Sequence, residues 1–271
     1  MTTSTHTEQT QAPAPTASTS GFRRDLVSVA MRALRLIPRE PEAVIPALII
    51  PVFFFVVNVG ALQDVAERTG VADFKAFQLP VAIIFAVTGV SRASALVTDI
   101  TGGYFDRLLL TPMRRPALLL GLMVADLVLV IALAVPVLIL GFAVGVRFET
   151  GAAGVVAFLL LAGLWGLAFT GFPYAIALRT GSSAAVNSSF LLFFPFAFLT
   201  TTFLPQDALT GWLATVADYN PVTYVLAALR SLLTEGWQAE ALLEGLAAIA
   251  LVGAASFTLA FLALRGRTAR G

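Results

Sequence analysis

Few residues of this chain could carry covalent or metal chemistry. The 271-residue sequence contains no cysteine and a single histidine, His6. Thiolate nucleophiles, thiolate metal sites, disulfides and a histidine-based triad within the apolar part of the chain are therefore excluded. Lys75 is the only lysine, and no GxxxxGK[ST] nucleotide-binding loop occurs. We predict no catalytic residue, no cofactor site and no metal site in this chain.

Two ionisable residues, Arg92 and Asp126, fall within or at the end of long apolar runs. A charge at the centre of a membrane helix costs about 2.5–3.5 kcal/mol on insertion scales, so Asp126 should face protein or water. Arg92 is the expected partner, and we favour a structural ion pair over a role in substrate binding. An integral membrane enzyme would need paired acids, or a nucleophile with a base, at matched membrane depth. These two residues do not supply either set.

A polar segment between two long apolar runs, residues 99–116, has the sequence DITGGYFDRLLLTPMRRP. Within it, residues 103–111 predict a short amphipathic helix, because apolar and charged side chains separate onto opposite faces at 100° per residue. The apolar face contains Tyr104, Phe105, Leu108 and Leu109, and the opposite face contains Asp106 and Arg107. Gly102 and Gly103 loosen the start of this helix, and Pro112 ends it. We expect it to insert into a soluble partner, because its aromatic-aliphatic patch would otherwise stay uncovered; burial among lipid headgroups is the alternative.

Composition places these residues in a polytopic membrane protein. The sequence is 58% hydrophobic and only 12% charged, with a mean hydropathy of +0.88, whereas soluble domains are about 45–50% apolar and about 25% charged. We predict an all-α membrane protein with six transmembrane helices, since six segments have the length and apolarity of a span. They cover residues 43–62, 79–97, 117–141, 154–178, 185–203 and 245–264.

The N-terminal part precedes the first span. Residues 1–21 are rich in Ser, Thr, Pro and Ala and predict a disordered tail that is not a cleaved secretion signal. Residues 22–37 predict a basic amphipathic helix that lies in the membrane plane, with its arginines toward anionic headgroups. The remaining residues, 22–271, form one membrane domain.

The arginines predict the topology. With both termini in the cytoplasm, four basic residues lie outside, namely Arg68, Lys75, Arg147 and Arg230, and the other basic residues lie on or near the inner side. The positive-inside rule favours this arrangement. Residues 205–235 contain two short apolar helices, at 209–217 and 222–233, which are broken at Pro221; each is too short to cross the membrane. We predict a re-entrant pair in the outer leaflet.

The polar segment after span two, DITGGYFDRLLLTPMRRPALLLG, and the late LP…NPVTYVLAALR resemble the permease subunits of ABC-2 type exporters, particularly the daunorubicin/doxorubicin-resistance type. The resemblance covers nearly the whole chain from about residue 22. The residues that carry it in the first motif are Asp99, Gly102, Asp106, Leu108, Leu109, Thr111, Pro112 and Arg115. This sequence departs from the pattern at Gly103, where the family usually has threonine.

This resemblance implies a permease without enzymatic activity of its own, in the cytoplasmic membrane of a prokaryote. It implies two copies of a separate ABC ATPase subunit, which bind ATP and Mg²⁺, a second permease chain and surrounding lipids, and no nucleic acid. Residues 103–111 would be the coupling helix. The expected contacts with the ATPase subunit are Gly102, Tyr104, Phe105, Asp106, Arg107, Leu108, Leu109, Thr111 and Pro112.

The cargo implied by the resemblance is a drug-like compound or a lipid, moved outward; a lipid-linked polysaccharide or a cell-wall glycolipid is the alternative. Candidates for the transport path are Asn187, Ser188, Phe194 and Thr201, although such residues also join helix to helix. A secondary transporter is less favoured, because it would show broken helices at the midplane and inverted repeats.

Overall fold

The computed structural model describes residues 21–36, 41–68, 71–109 and 115–268. Over these ranges the chain is built from helices and contains no β-strand, which confirms the prediction of an all-α protein. The predicted tail at residues 1–20 and the predicted site residues Thr111 and Pro112 lie outside the described residues.

Twelve α-helices form the described part of the chain. The first seven are α1 (Phe22–Leu36), α2 (Pro41–Arg68), α3 (Phe74–Thr88), α4 (Ala93–Thr101), α5 (Tyr104–Leu109), α6 (Arg115–Ala143) and α7 (Gly151–Thr180). The remaining five are α8 (Ser183–Ser188), α9 (Phe193–Phe198), α10 (Gly211–Tyr219), α11 (Pro221–Thr234) and α12 (Ala239–Thr268). Short 3₁₀ segments cover Ser189–Leu192 and Gln206–Ala208.

Five of these helical segments are long and apolar enough to cross a membrane, by length and composition. They are Val44–Arg68, Phe74–Thr101, Pro116–Ala143, Gly151–Thr180 and Ala239–Arg267, and they overlap five of the six predicted spans. The predicted span at 185–203 forms the shorter apolar segment Ser183–Phe198, which the 3₁₀ turn interrupts. Six crossings therefore stay a prediction.

Helix α7 lies at the centre of the bundle, in contact with α12, α6 and α3. Its largest side chains, among them Trp165 and Phe158, are fully buried. Gly171 lets α12 approach closely, because a Cβ atom there would lie 2.5 Å from Ser256. Small residues at such contacts allow helices to associate by backbone proximity inside a membrane, where no hydrophobic effect drives them together.

The predicted amphipathic helix at 22–37 is present as α1, and protein covers its apolar face. Val29 and Ala33 are buried against α6, where Gly121 leaves room for Val29. Val27 and Met31 remain exposed. The helix is therefore an integral part of the bundle, and its position in the membrane plane stays a prediction.

The two predicted short helices before the last span are α10 and α11. They divide at Asn220, whose side chain caps α11 by accepting the Val222 N–H at 3.0 Å, while Pro221 occupies the first turn, where its missing N–H is not needed. Arg230 ties α11 to its neighbours by donating to the carbonyl oxygens of Phe77 and Thr201. Insertion of this pair into the outer leaflet stays a prediction.

Helix α1, the start of α6, helix α5 and the C-terminal part of α12 lie at one end of the bundle, because Val29, Phe105, Leu119 and Leu264 belong to one buried cluster. Helices α10 and α11 lie at the other end, beside the loop between α6 and α7. The Glu149 N–H in that loop donates to Leu233 O in α11. Both ends of the described chain are thus at the same end of the bundle, and the location of both termini in the cytoplasm stays a prediction. Which side faces the cytoplasm stays a prediction.

Candidate coupling site

The turn between α4 and α5 depends on two glycines. Gly102 ends α4 with its N–H donated to Thr98 O at 2.9 Å. Gly103 has φ of +69°, a left-handed conformation that glycine adopts without steric cost and that a β-branched residue strongly disfavours. Glycine is therefore the residue that this turn favours at position 103.

The expectation that Phe105 forms part of an exposed patch is wrong. Its side chain is 1% exposed and packs into the cluster that includes Val29, Ala33 and Ile100. The Arg267 guanidinium, from the end of α12, lies 5.9 Å from the centre of its ring. A six-residue helix cannot form alone, so Phe105 serves as its anchor in the bundle.

Tyr104 and Arg107 do lie on the surface of α5. Tyr104 is 38% exposed, and Arg107 is exposed as well. Gly102, at the start of the turn, is also exposed. The side chains of Asp106, Leu108 and Leu109 fall outside the described residues, so their contact with a partner stays a prediction.

Arg32 joins α1 to both sides of this turn. Its guanidinium forms two hydrogen bonds with the Asp99 carboxylate, at 3.1 and 2.9 Å, and lies 4.1 Å from the centre of the Tyr104 ring. The hydrogen bond to Asp99 raises the pKa of Arg32 further above its ordinary value. A two-pronged arginine–carboxylate pair fixes orientation as well as distance, so α1, α4 and α5 are held as one unit.

Sequence reasoning did not identify Arg32 as part of this site. The polar segment indicates Asp99 and Tyr104, but Arg32 is 67 positions away from Asp99. Its place on the polar face of α1 is the one signal in the sequence, and that pattern equally favours contact with lipid headgroups.

Arg92 and Asp126 lie close together. Asp126 is fully buried; its Oδ1 accepts the backbone N–H of Arg92 at 2.8 Å, and its Oδ2 accepts the hydroxyl of Tyr174 at 2.7 Å. The predicted continuous span at 79–97 is broken at residues 89–92, between α3 and α4. Asp126 therefore satisfies a backbone donor that this break leaves without a helical partner, and an ion pair between the two side chains stays a prediction.

The four candidate path residues are not gathered in one place. Asn187 lines a cleft beside α4 and accepts a hydrogen bond from Ser94. Ser188 is exposed and donates to Ala184 O. Phe194 packs among other phenylalanine rings, and Thr201 lies at the other end of the bundle, bound by Arg230.

Within the described ranges, no group of three or more His, Cys, Asp or Glu side chains could hold a metal ion. The candidate coupling site consists of the short helix α5 on the surface of one end of the bundle. The buried ring of Phe105 anchors this helix, and Arg32 joins it to the N-terminal helix α1.

Comparisons with known proteins agree with this architecture. A family model described as "ABC-2 type transporter" matches residues 24–234. The chain is 28% identical over 210 residues to the "Daunorubicin resistance ABC transporter permease protein DrrB1" of Streptomyces coeruleorubidus, which covers 74% of this chain and 72% of that protein. It is 24% identical over 194 residues to the "Probable doxorubicin resistance ABC transporter permease protein DrrC" of Mycobacterium tuberculosis, with 71% and 70% covered. Together with a helical bundle that presents a short anchored helix at one end, the match over most of its length shows that this chain belongs to the ABC-2 type transporter family.

Proposed function

We propose that this chain is the membrane-spanning half of an ATP-driven exporter that moves a hydrophobic or amphipathic small molecule out across the cell membrane. Permeases of this family are membrane subunits, and the ATPase activity resides in separate subunits. The absence of a nucleotide-binding loop in this sequence agrees with that division of labour.

The observation that carries the proposal is the attachment of α5. This helix is anchored by Phe105, and the exposed ring of Tyr104 stacks on Arg32, which in turn holds Asp99. In the proposed mechanism the ATPase subunit contacts the exposed face of α5. Closure of that subunit on ATP moves α5, α1 and α4 together and so changes the packing of the spans.

The proposed assembly contains two permease chains and two ATPase subunits, which hold ATP and Mg²⁺. Both termini of the permease and helix α5 face the cytoplasm in this arrangement. Support comes from the basic residues near this end of the bundle, including Arg24, Arg107, Arg179 and Arg265, whose charge the positive-inside rule places in the cytoplasm.

The cargo that the relatives favour is drug-like, since their names associate them with resistance to daunorubicin and doxorubicin. Both relatives align over more than two thirds of their own length, so the similarity extends through the spans rather than stopping at the coupling segment. We therefore place an amphipathic small molecule ahead of a lipid-linked polysaccharide.

The docking step can be tested with a pair of tyrosine substitutions. Tyr104→Asp places a charge on α5, whereas Tyr219→Asp makes the same change at the other end of the bundle, where the ring is 85% exposed. The permease is co-expressed with its ATPase subunit and captured by a C-terminal tag. We expect Tyr104→Asp to lose the ATPase subunit and Tyr219→Asp to retain it. Equal retention in both variants would refute docking at α5.

A further inference from the structure

A cleft of about 640 Å³ opens in the same half of the bundle as α5. It is bounded by α2, by the break between α3 and α4, by α7 and by α8. Its volume is in the range of small-molecule sites in proteins, which are about 300–1,000 Å³. Irregular backbone at membrane depth persists only where protein buries it or where it lines a cavity, and the break at residues 89–92 lines this one.

One wall of the cleft is aromatic. Phe85, Phe169 and Phe190 line it, and all three contact the fully buried ring of Phe193, with ring centres 5.4, 5.6 and 6.0 Å away respectively. Because Phe193 supports these rings from behind, the wall is a prearranged apolar surface. It suits a flat or rigid apolar body.

The lining of the cleft also carries neutral polar groups. Serine and threonine hydroxyls donate to acceptors within the protein: Thr98 to Ser94 O at 3.3 Å, and Ser94 to Asn187 Oδ1 at 3.0 Å. Their oxygen lone pairs remain as acceptors. The Asn187 amide nitrogen has no hydrogen-bond partner among the described residues and supplies a donor. The lining therefore matches a ligand that brings several hydroxyl groups and at least one oxygen acceptor.

The cleft contains no charged lining residue among those that the structure describes. Other cavities of the protein do have charged lining residues. Arg147 lines a second cavity, and Asp73, Arg230 and Glu235 line a third, near the other end of the bundle. An ion that enters an uncharged, partly dehydrated site loses hydration without gaining a counter-charge. Phosphate-bearing and permanently charged molecules are disfavoured by this lining.

We propose that this cleft is the cargo-binding site and that it takes uncharged amphipathic molecules with a rigid apolar body and several hydroxyl groups. The inference rests on the proposed function and narrows it. It separates the two classes of cargo under consideration, because a pyrophosphate-linked glycolipid would bring two or more negative charges into a site whose described lining residues include no cation to receive them.

The first test measures binding to the permease alone and uses its lack of native cysteine. The full chain with Ser94→Cys is placed in lipid nanodiscs and labelled with an uncharged thiol reagent in the presence of estradiol or its 3-sulfate. Estradiol should slow labelling by about tenfold at ten times its dissociation constant, whereas the sulfate at equal concentration should not. Thr258→Cys, on the exposed face of α12, controls for competition within the lipid. Equal protection by both probes, or protection by neither, overturns the inference.

The second test measures transport in the complete complex with its ATPase subunit, in proteoliposomes. Thr98→Phe fills the cleft, and Thr258→Phe makes the same change on the exposed face of α12; both threonine hydroxyls donate to the carbonyl four residues earlier. We expect ATP-dependent estradiol transport to fall at least about tenfold, or 1.4 kcal/mol, in Thr98→Phe only.

The outcomes separate the two proposals. If the wild-type and the Thr98→Phe complexes transport estradiol equally well, the cleft is not the cargo-binding site, and the proposed exporter function is unaffected. If the wild-type complex transports a pyrophosphate-linked glycolipid and Thr98→Phe blocks that transport, the inference that the cleft takes uncharged cargo is wrong. A complex that transports neither cargo in an ATP-dependent manner refutes the proposed function, whatever the labelling experiment shows.

Discussion

Replacement of Phe105 by alanine tests whether this ring anchors the coupling helix rather than contacting the partner. The side chain is 1% exposed, and truncation of a buried phenylalanine to alanine costs about 3–5 kcal/mol. Loss of the contact with Arg267, at 5.9 Å, adds at most about 1 kcal/mol. Because α5 has only six residues, it has little stability of its own and depends on this packing energy.

The expected consequence is release of α5 from the bundle. A loss of about 3–5 kcal/mol lowers the ratio of docked to undocked α5 by about two to four powers of ten, since about 1.4 kcal/mol corresponds to a factor of ten. We therefore expect Phe105→Ala to abolish capture of the ATPase subunit although the ring does not reach the surface. Phe105→Leu, which keeps most of the buried volume, should retain capture.

Hydrogen exchange of the backbone supplies the assay that separates anchoring from direct contact. Amides of residues 104–109 should exchange faster in Phe105→Ala than in the wild type, with no ATPase subunit present. Tyr104→Ala removes an exposed ring and should leave this exchange within a few-fold of wild type. If Phe105→Ala keeps both the wild-type exchange pattern and full capture of the ATPase subunit, the anchoring role is refuted.

Three further predictions concern the contacts around this site and the buried carboxylate. Reversal of the Arg32–Asp99 pair by Arg32→Asp should lower ATP-driven transport, and Asp99→Arg in the same chain should restore part of it. Because the two side chains are 40% and 21% exposed, we expect a coupling energy of only about 1 kcal/mol in a double-mutant cycle of thermal stability; a value near zero would show that the pair does not join the helices. Gly121→Val should displace α1, since even a Cβ atom would lie 2.8 Å from a side chain of that helix. Faster tryptic cleavage within α1 would confirm this displacement, and unchanged cleavage would contradict it. Asp126→Leu should lower the melting temperature in detergent more than Asp126→Asn, because leucine leaves a buried backbone N–H and a phenol hydroxyl unpaired, each at a cost of about 1–3 kcal/mol; equal melting temperatures would contradict that role.

Several features of this protein follow from the sequence without any tertiary information. Hydropathy and the scarcity of charge identify a helical membrane protein, because each span must be apolar over a fixed length. The amphipathic pattern of residues 22–37 and the proline after Asn220 locate α1 and the division between α10 and α11. These are local effects of side-chain periodicity and of the missing proline N–H, so a linear sequence reveals them.

Only the tertiary structure decides which apolar face is covered and by what. Phe105 and Tyr104 share one face of α5 in the sequence pattern, yet the first is buried under α12 and the second stacks on Arg32. The break at residues 89–92 likewise depends on Asp126, from another helix, to accept a freed backbone donor. Periodicity gives the direction of a side chain around its own helix axis. Which residue it contacts depends on how segments that are distant in the sequence pack together, and the local sequence does not specify that packing.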